Sequence, residues 1–135
     1  MSKAEFKDFR EKQKELNKAL IDLRIREMHL MGLEIKTELG EINESLEFKE
    51  LCDLVYKAER FLNSNHDDRR IITMAMHQLG WKFSGKTYME INDSITVDDK
   101  TENKKYPYIV RGLGPVTYNS FRGILGLPST LDTEK

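Results

Sequence analysis

The first half of this chain carries two apolar stripes at helical spacing, and that doubling constrains the fold more than any other feature. Phe6, Phe9, Leu16, Leu20, Leu23 and Leu30 recur at steps of three and four, with Gln13 and Glu27 as the polar exceptions. A second stripe begins inside the first: Ile21, Ile25, Met28, Ile35, Leu39, Ile42 and Leu46, with Gly32 occupying one step. A single antiparallel hairpin needs only one stripe, so two stripes require two packing neighbours. A helical extension that packs on its own body and also binds a second copy of itself satisfies both. Leu51, Leu54, Val55, Ala58 and Leu62 continue the pattern as a second helix that ends in Asn63-Ser-Asn65. Residues 1–64 are therefore expected to form a two-helix anchor that drives a homodimer or larger assembly.

Residues 65–128 read as a small core, and 129–135 as a tail. A third helix starts near Asp67 or Asp68, whose carboxylates suit an N-terminus, carries Ile71, Ile72, Ala75, Met76 and Leu79, and meets a natural stop at Gly80. Beyond it the texture changes. Trp81-Lys-Phe83, Thr87-Tyr-Met-Glu-Ile91, Ile95-Thr-Val97 and Tyr106-Pro-Tyr-Ile-Val110 are short, aromatic and β-branched, and turn-forming residues separate them. Pro107 restricts the last run to an edge strand or a strand start. A final helix runs from 115 to 125 and stops at Gly126, with Pro128 beyond. The expected fold is α+β: a helical anchor, then a winged-helix-like core of helix, β-hairpin or meander, and C-terminal helix.

Composition excludes several classes. Net charge is −1, from 22 basic and 23 acidic residues, so global charge gives no argument for nucleic acid. Cys52 is the only cysteine, so no internal disulfide can form, and its helical apolar surroundings make it a small hydrophobe rather than a nucleophile. No apolar run approaches the roughly 18 residues of a membrane span, and Met-Ser-Lys-Ala-Glu-Phe-Lys lacks the apolar block of a signal peptide. A cytoplasmic protein is expected.

One local imbalance stands out. From Asn103 to Leu131 the chain holds Lys104, Lys105, Arg111 and Arg122 and no acidic residue. Within this stretch lies Arg111-Gly-Leu-Gly-Pro115, opening the last helix. Pro115 suits a first helical turn. Gly112 and Gly114 can turn successive N–H groups toward one point, and the helix dipole adds about half a positive charge there. With Arg111 and Arg122 flanking it, the segment is a candidate phosphate site.

Three further motifs bear on function. Gly80-Trp-Lys-Phe-Ser-Gly85-Lys86-Thr87 matches the phosphate-loop pattern of nucleotide triphosphatases, but a helix precedes it, Trp81 and Phe83 are bulky, and strand-like residues follow. Gly112-Leu-Gly114-Pro-Val-Thr117 resembles the hairpin of helix-hairpin-helix DNA-binding modules, which implies contact with backbone phosphate. Glu38, Glu41, Glu50 and Asp53 place carboxylates at i, i+3 spacing on two helices, a set able to hold magnesium over a nucleotide phosphate if the helices face one another. With Gln13-Lys-Glu-Leu16 and Phe48-Lys49, they resemble the all-α nucleotide pyrophosphohydrolases of the dimeric dUTPase and MazG-like group, which implies metal-dependent hydrolysis. Only eight residues separate Glu41 from Glu50, less than that family places there.

A broader resemblance covers the layout. A long helical anchor, a small decorated core and the series Phe83, Asn92, Arg111, Arg122 are similar to the phage anti-Thoeris sponges, which sequester cyclic ADP-ribose signals without cleaving them. That resemblance implies that Phe83 stacks on adenine and Asn92 hydrogen-bonds base or ribose. It also implies that Arg111 and Arg122, with Gly112 and Gly114, hold phosphate in a pocket completed across a dimer. The histidines His29, His66 and His77 have no partner at ligand spacing, so no catalytic residue, resident metal or cofactor is expected. The favoured expectation is a non-enzymatic protein that sequesters a phosphate-bearing nucleotide, with pyrophosphohydrolase and DNA-binding regulator as alternatives.

Overall fold

A computed structural model describes residues 2–61, 65–99, 110 and 112–132, with side chains for all of these except 59–61 and 97–99. It contains five helices: α1 (Lys3–Leu39), α2 (Phe48–Phe61), α3 (His66–Phe83), α4 (Tyr88–Asp99) and α5 (Pro115–Leu125). No strand occurs among the described residues; the only β feature there is an isolated antiparallel bridge between Glu47 and Thr87. The fold is all-α, and the expected α+β core with its hairpin is wrong.

The error is local. Thr87-Tyr-Met-Glu-Ile91 was read as a strand from its aromatic and β-branched content, yet Thr87-x-x-Glu90 is a capping box. The Thr87 hydroxyl oxygen accepts from the Glu90 N–H at 3.4 Å, and the Glu90 carboxylate accepts from the Thr87 N–H at 3.4 Å and from its hydroxyl at 3.0 Å. Ile91 and Ile95, one turn apart, are then both buried. Burial of that face outweighs the mild strand preference of the residues between. Trp81-Lys-Phe83 continues α3, whose C-cap is Ser84 rather than Gly80. Residues 106–109 of the last expected strand lie outside the described residues.

The starts of α2 and α4 are fastened together through backbone. Phe48 N–H donates to the Lys86 carbonyl at 3.0 Å, and Tyr88 N–H to the Leu46 carbonyl at 2.6 Å. On α2 the Glu50 carboxylate also accepts from the Glu47 N–H at 3.4 Å. Behind this junction Phe48, Phe83 and Phe121 bring α2, α3 and α5 together, with ring centroids 6.0–6.4 Å apart. Each buried ring contributes about 2–3 kcal/mol of apolar burial.

At the centre runs α5, whose residues from Tyr118 to Leu125 are all buried. Its chief partner is the C-terminal half of α1, and the two helices cross backbone to backbone. A Cβ on Gly32 would lie 2.2 Å from the Ser120 carbonyl oxygen, and one on Gly123 would lie 2.2 Å from the His29 carbonyl oxygen. Only two glycines permit that approach. The helix ends in a Schellman motif: Gly126, with φ 77°, donates to the carbonyls of Arg122 and Gly123, and Leu127 donates to Arg122 at 2.9 Å.

The chain then folds back. His29 Nε2 donates to the Leu127 carbonyl at 2.6 Å, Arg122 Nε to the Pro128 carbonyl at 2.7 Å, and Thr130 N–H to Asn119 Oδ1 at 2.9 Å. Ser129 and Thr130 are buried. The segment expected as a tail is thus built into the head as far as Asp132.

The N-terminal half of α1 does none of this. Every residue from Lys3 to Leu20 is exposed. The arm projects from the head.

Candidate functional site

Among the described residues of the expected nucleotide pocket, Phe83 and Arg122 are closed off from any ligand. Phe83 is fully buried in the aromatic cluster and offers no face to a base. Arg122, also fully buried, spends its Nε–H on the Pro128 carbonyl, and its guanidinium lies 5.7 Å from the Tyr118 ring. Asn92 sits within α4, half-buried; its main-chain carbonyl accepts from the Thr96 hydroxyl at 2.9 Å, and its side-chain Oδ1 is buried without a hydrogen-bond partner among the described residues. Gly112 is exposed with φ 89°, and Gly114 is the N-cap of α5. Arg111 lies outside the described residues. The geometry gives Phe83 and Arg122 a core role rather than a ligand role.

Burial accounts for the missing acids of α5, which supplies residues 115–125 of the acid-free stretch from Asn103 to Leu131. Much of that stretch is α5, and a carboxylate placed inside it would have to be desolvated. Of the four basic residues of the stretch only Arg122 belongs to this central helix; Lys104, Lys105 and Arg111 lie outside the described residues. The buried Arg122 is held by the returning chain.

The alternative sites fare no better. Glu38, Glu41, Glu50 and Asp53 are all exposed, and Glu50 is used in capping α2. Among the described residues no group of three or more His, Cys, Asp or Glu side chains is placed to hold a metal. The phosphate-loop match at Gly80–Thr87 is the end of α3, a two-residue turn and the cap of α4, and the Lys86 carbonyl is engaged in the bridge to α2. Burial and the adjacent charge of Asp53 push the Cys52 thiol up to about 11, which keeps it protonated and unreactive at neutral pH. No helix among the described residues is long and apolar enough to cross a membrane.

What remains is the first stripe of α1. Phe6, Phe9, Leu16, Leu20, Leu23 and Leu30 are each 50–61% exposed, although the second stripe on the same helix, Ile25, Met28, Gly32 and Ile35, is buried against the head. Ile21, expected in the second stripe, is also exposed, and Ile42 and Leu46 lie beyond the end of α1, so the head supplies the neighbour for only the part of that stripe from Ile25 onward. At Leu20, Leu23 and Glu27 the seam borders a groove completed by Ile21, Arg24 and Val116. Arg24 is held there by Asp68 of α3 at 2.5 Å and Glu27 at 2.8 Å, which ties α1 to the start of α3.

No protein-family model, curated protein or solved structure matches this chain. Function has to be argued from this surface.

Proposed function

We propose that this protein is a non-catalytic, self-assembling helical protein whose α1 arm joins copies and whose five-helix heads are carried by that assembly. The observation that supports this is the row of six large apolar side chains on the solvent side of α1. Left in water, each exposes apolar area on the order of 100 Å². A pair of arms would bury about 1,200 Å², the lower bound of a stable interface. A sequestered nucleotide such as a cyclic ADP-ribose isomer remains compatible with such an assembly. Its support now rests on Asn92, Arg111, Gly112 and Gly114, so the geometry favours assembly as the primary role.

Sedimentation equilibrium at micromolar concentration tests this directly, with a mass of at least twice 15.8 kDa expected. Leu16→Glu with Leu20→Glu should return a monomer with unchanged helical content in the head. A wild-type monomer at those concentrations refutes the proposal.

A further inference from the structure

Resting on the assembly reading, the inference concerns how two copies meet. The seam follows a strict heptad. Phe6, Gln13, Leu20 and Glu27 fall at a, and Phe9, Leu16, Leu23 and Leu30 at d. In the same frame the residues that α1 buries in its own head, Ile25, Met28, His29, Gly32 and Ile35, fall at f, b, c, f and b. The head therefore grips the face of α1 opposite the seam. The seam continues from the free arm along the head, where Val116 and the Arg24–Asp68 and Arg26–Asp132 ion pairs border it and the a and d positions stay exposed as far as Leu30.

From this we infer that two copies pair through α1 as a parallel, in-register, two-stranded coiled coil, with their heads on opposite outer flanks. Three features select this arrangement over the antiparallel one.

The first is the pairing of polar layers. In parallel register Gln13 meets Gln13 of the second copy, and the two amides can bond to each other. The antiparallel register that keeps the whole seam in contact sets Gln13 against Leu23 and Glu27 against Phe9, stranding an amide and a carboxylate among apolar groups.

The second is flanking charge. Parallel pairing sets Glu5 at g opposite Arg10 at e, and then Lys12 opposite Asn17, Ala19 opposite Arg24 and Arg26 opposite Met31, with no like-charged pair. Antiparallel pairing sets Arg10 against Arg24 and Lys12 against Arg26, each twice.

The third concerns Glu27, the one layer where parallel pairing brings like charges together. Each Glu27 carboxylate already holds Arg24 of its own chain at 2.8 Å. Arg26 of the second copy, at g, flanks it from across the seam. The four guanidinium groups of the layer, which also hold Asp68 and Asp132 of the heads, stand around the two Glu27 carboxylates.

Orientation is read by cross-linking in a Cys52→Ser background, so that the introduced cysteine is the only thiol. Phe9→Cys should form a disulfide-linked dimer as the dominant species in a glutathione redox buffer. In the antiparallel register two such thiols stand about 27 Å apart along the axis. A nitroxide on Lys7→Cys, outside the seam, provides a second readout that leaves the apolar layers intact. Parallel pairing places the two spins within about 25 Å, and antiparallel pairing puts them beyond about 35 Å. A dimeric mass with cross-linking only in a mixture of Phe9→Cys and Glu27→Cys chains overturns the parallel inference but leaves assembly standing. A trimeric or tetrameric mass overturns the two-stranded count. A monomeric mass removes both.

Discussion

Replacing Gly32 by alanine isolates the crossing on which the head depends. In an exposed helix this change stabilises by about 1 kcal/mol, because alanine is the better helix former. Here the new methyl would lie 2.2 Å from the Ser120 carbonyl oxygen, 2.8 Å from the Ile124 nitrogen and 2.9 Å from Gly123 Cα, all of them backbone. No side chain can rotate away, so α1 and α5 must separate by about 1 Å. A gap of that size forfeits a quarter to a half of the dispersion energy of each facing atom pair. Overpacking in a tight core costs about 1–3 kcal/mol and more when the backbone must move. Taking about 4 kcal/mol for the opened crossing and subtracting the propensity gain leaves a net loss of about 3 kcal/mol, or roughly 10 °C in Tm for a head of this size. Urea unfolding at a single protein concentration measures it, since assembly makes stability concentration-dependent. Gly80→Ala is the internal control. Its methyl would meet only the Phe48 ring edge at 3.4 Å, so it should stabilise α3 by about 0.5–1 kcal/mol. A Gly32→Ala protein as stable as the wild type would refute the backbone-contact argument.

Phe83→Ala should cost about 3–5 kcal/mol, whereas Trp81→Ala, at a side chain 85% exposed, should stay within about 0.5 kcal/mol; thermal melts of the pair check this ordering. Arg122→Ala should destabilise by about 3 kcal/mol by leaving the Pro128 carbonyl unpaired beside a void. Unchanged urea stability in that variant would mean the residue has no core role. Cys52 should react with iodoacetamide far more slowly in the native protein than in urea at pH 8. Because its folded pKa lies above the ordinary thiol value of 9.0, the native state loses stability as pH rises through the interval from 9 to about 11. A native labelling rate equal to the unfolded one contradicts the burial argument.

The parts of this fold that could be read from the sequence are those where one signal dominates. The buried stripe of α1 and the exposed seam beside it both stand in the spacing of the apolar residues, and Pro115 and Gly126 bracket α5 as their chemistry requires. The misread segment, Trp81 to Val97, had two competing signals. Its aromatic and β-branched residues suggested strands, while Thr87-x-x-Glu90 and the four-residue step from Ile91 to Ile95 marked a helix. The strand reading also put two side chains on one face that the helix sets on opposite faces. Residues 81 and 83 share a face in a strand but lie about 200° apart on a helix, so Trp81 faces solvent and Phe83 the core. The buried role of Arg122, expected as a phosphate ligand, was illegible for a different reason. A lack of acidic residues signals either an anion site or a buried helix, and only tertiary packing tells them apart. Arg122 belongs to the second case because Leu127 to Thr130 return to meet it, a long-range arrangement that no local pattern announces.

The central position of α5 bears on the order in which the molecule can be made. The other four helices leave the ribosome first, and their inward faces stay only partly covered, by contacts such as Phe48 with Phe83, until Tyr118 to Leu125 arrive. At about 5–20 residues per second, the interval between Phe83 and Leu125 lasts on the order of 2–8 s. The arm has been synthesised well before that interval begins. On the assembly reading, two chains growing on one message can meet through their arms while both heads are still open. Association then precedes completion of the fold, and partner choice falls to copies born side by side.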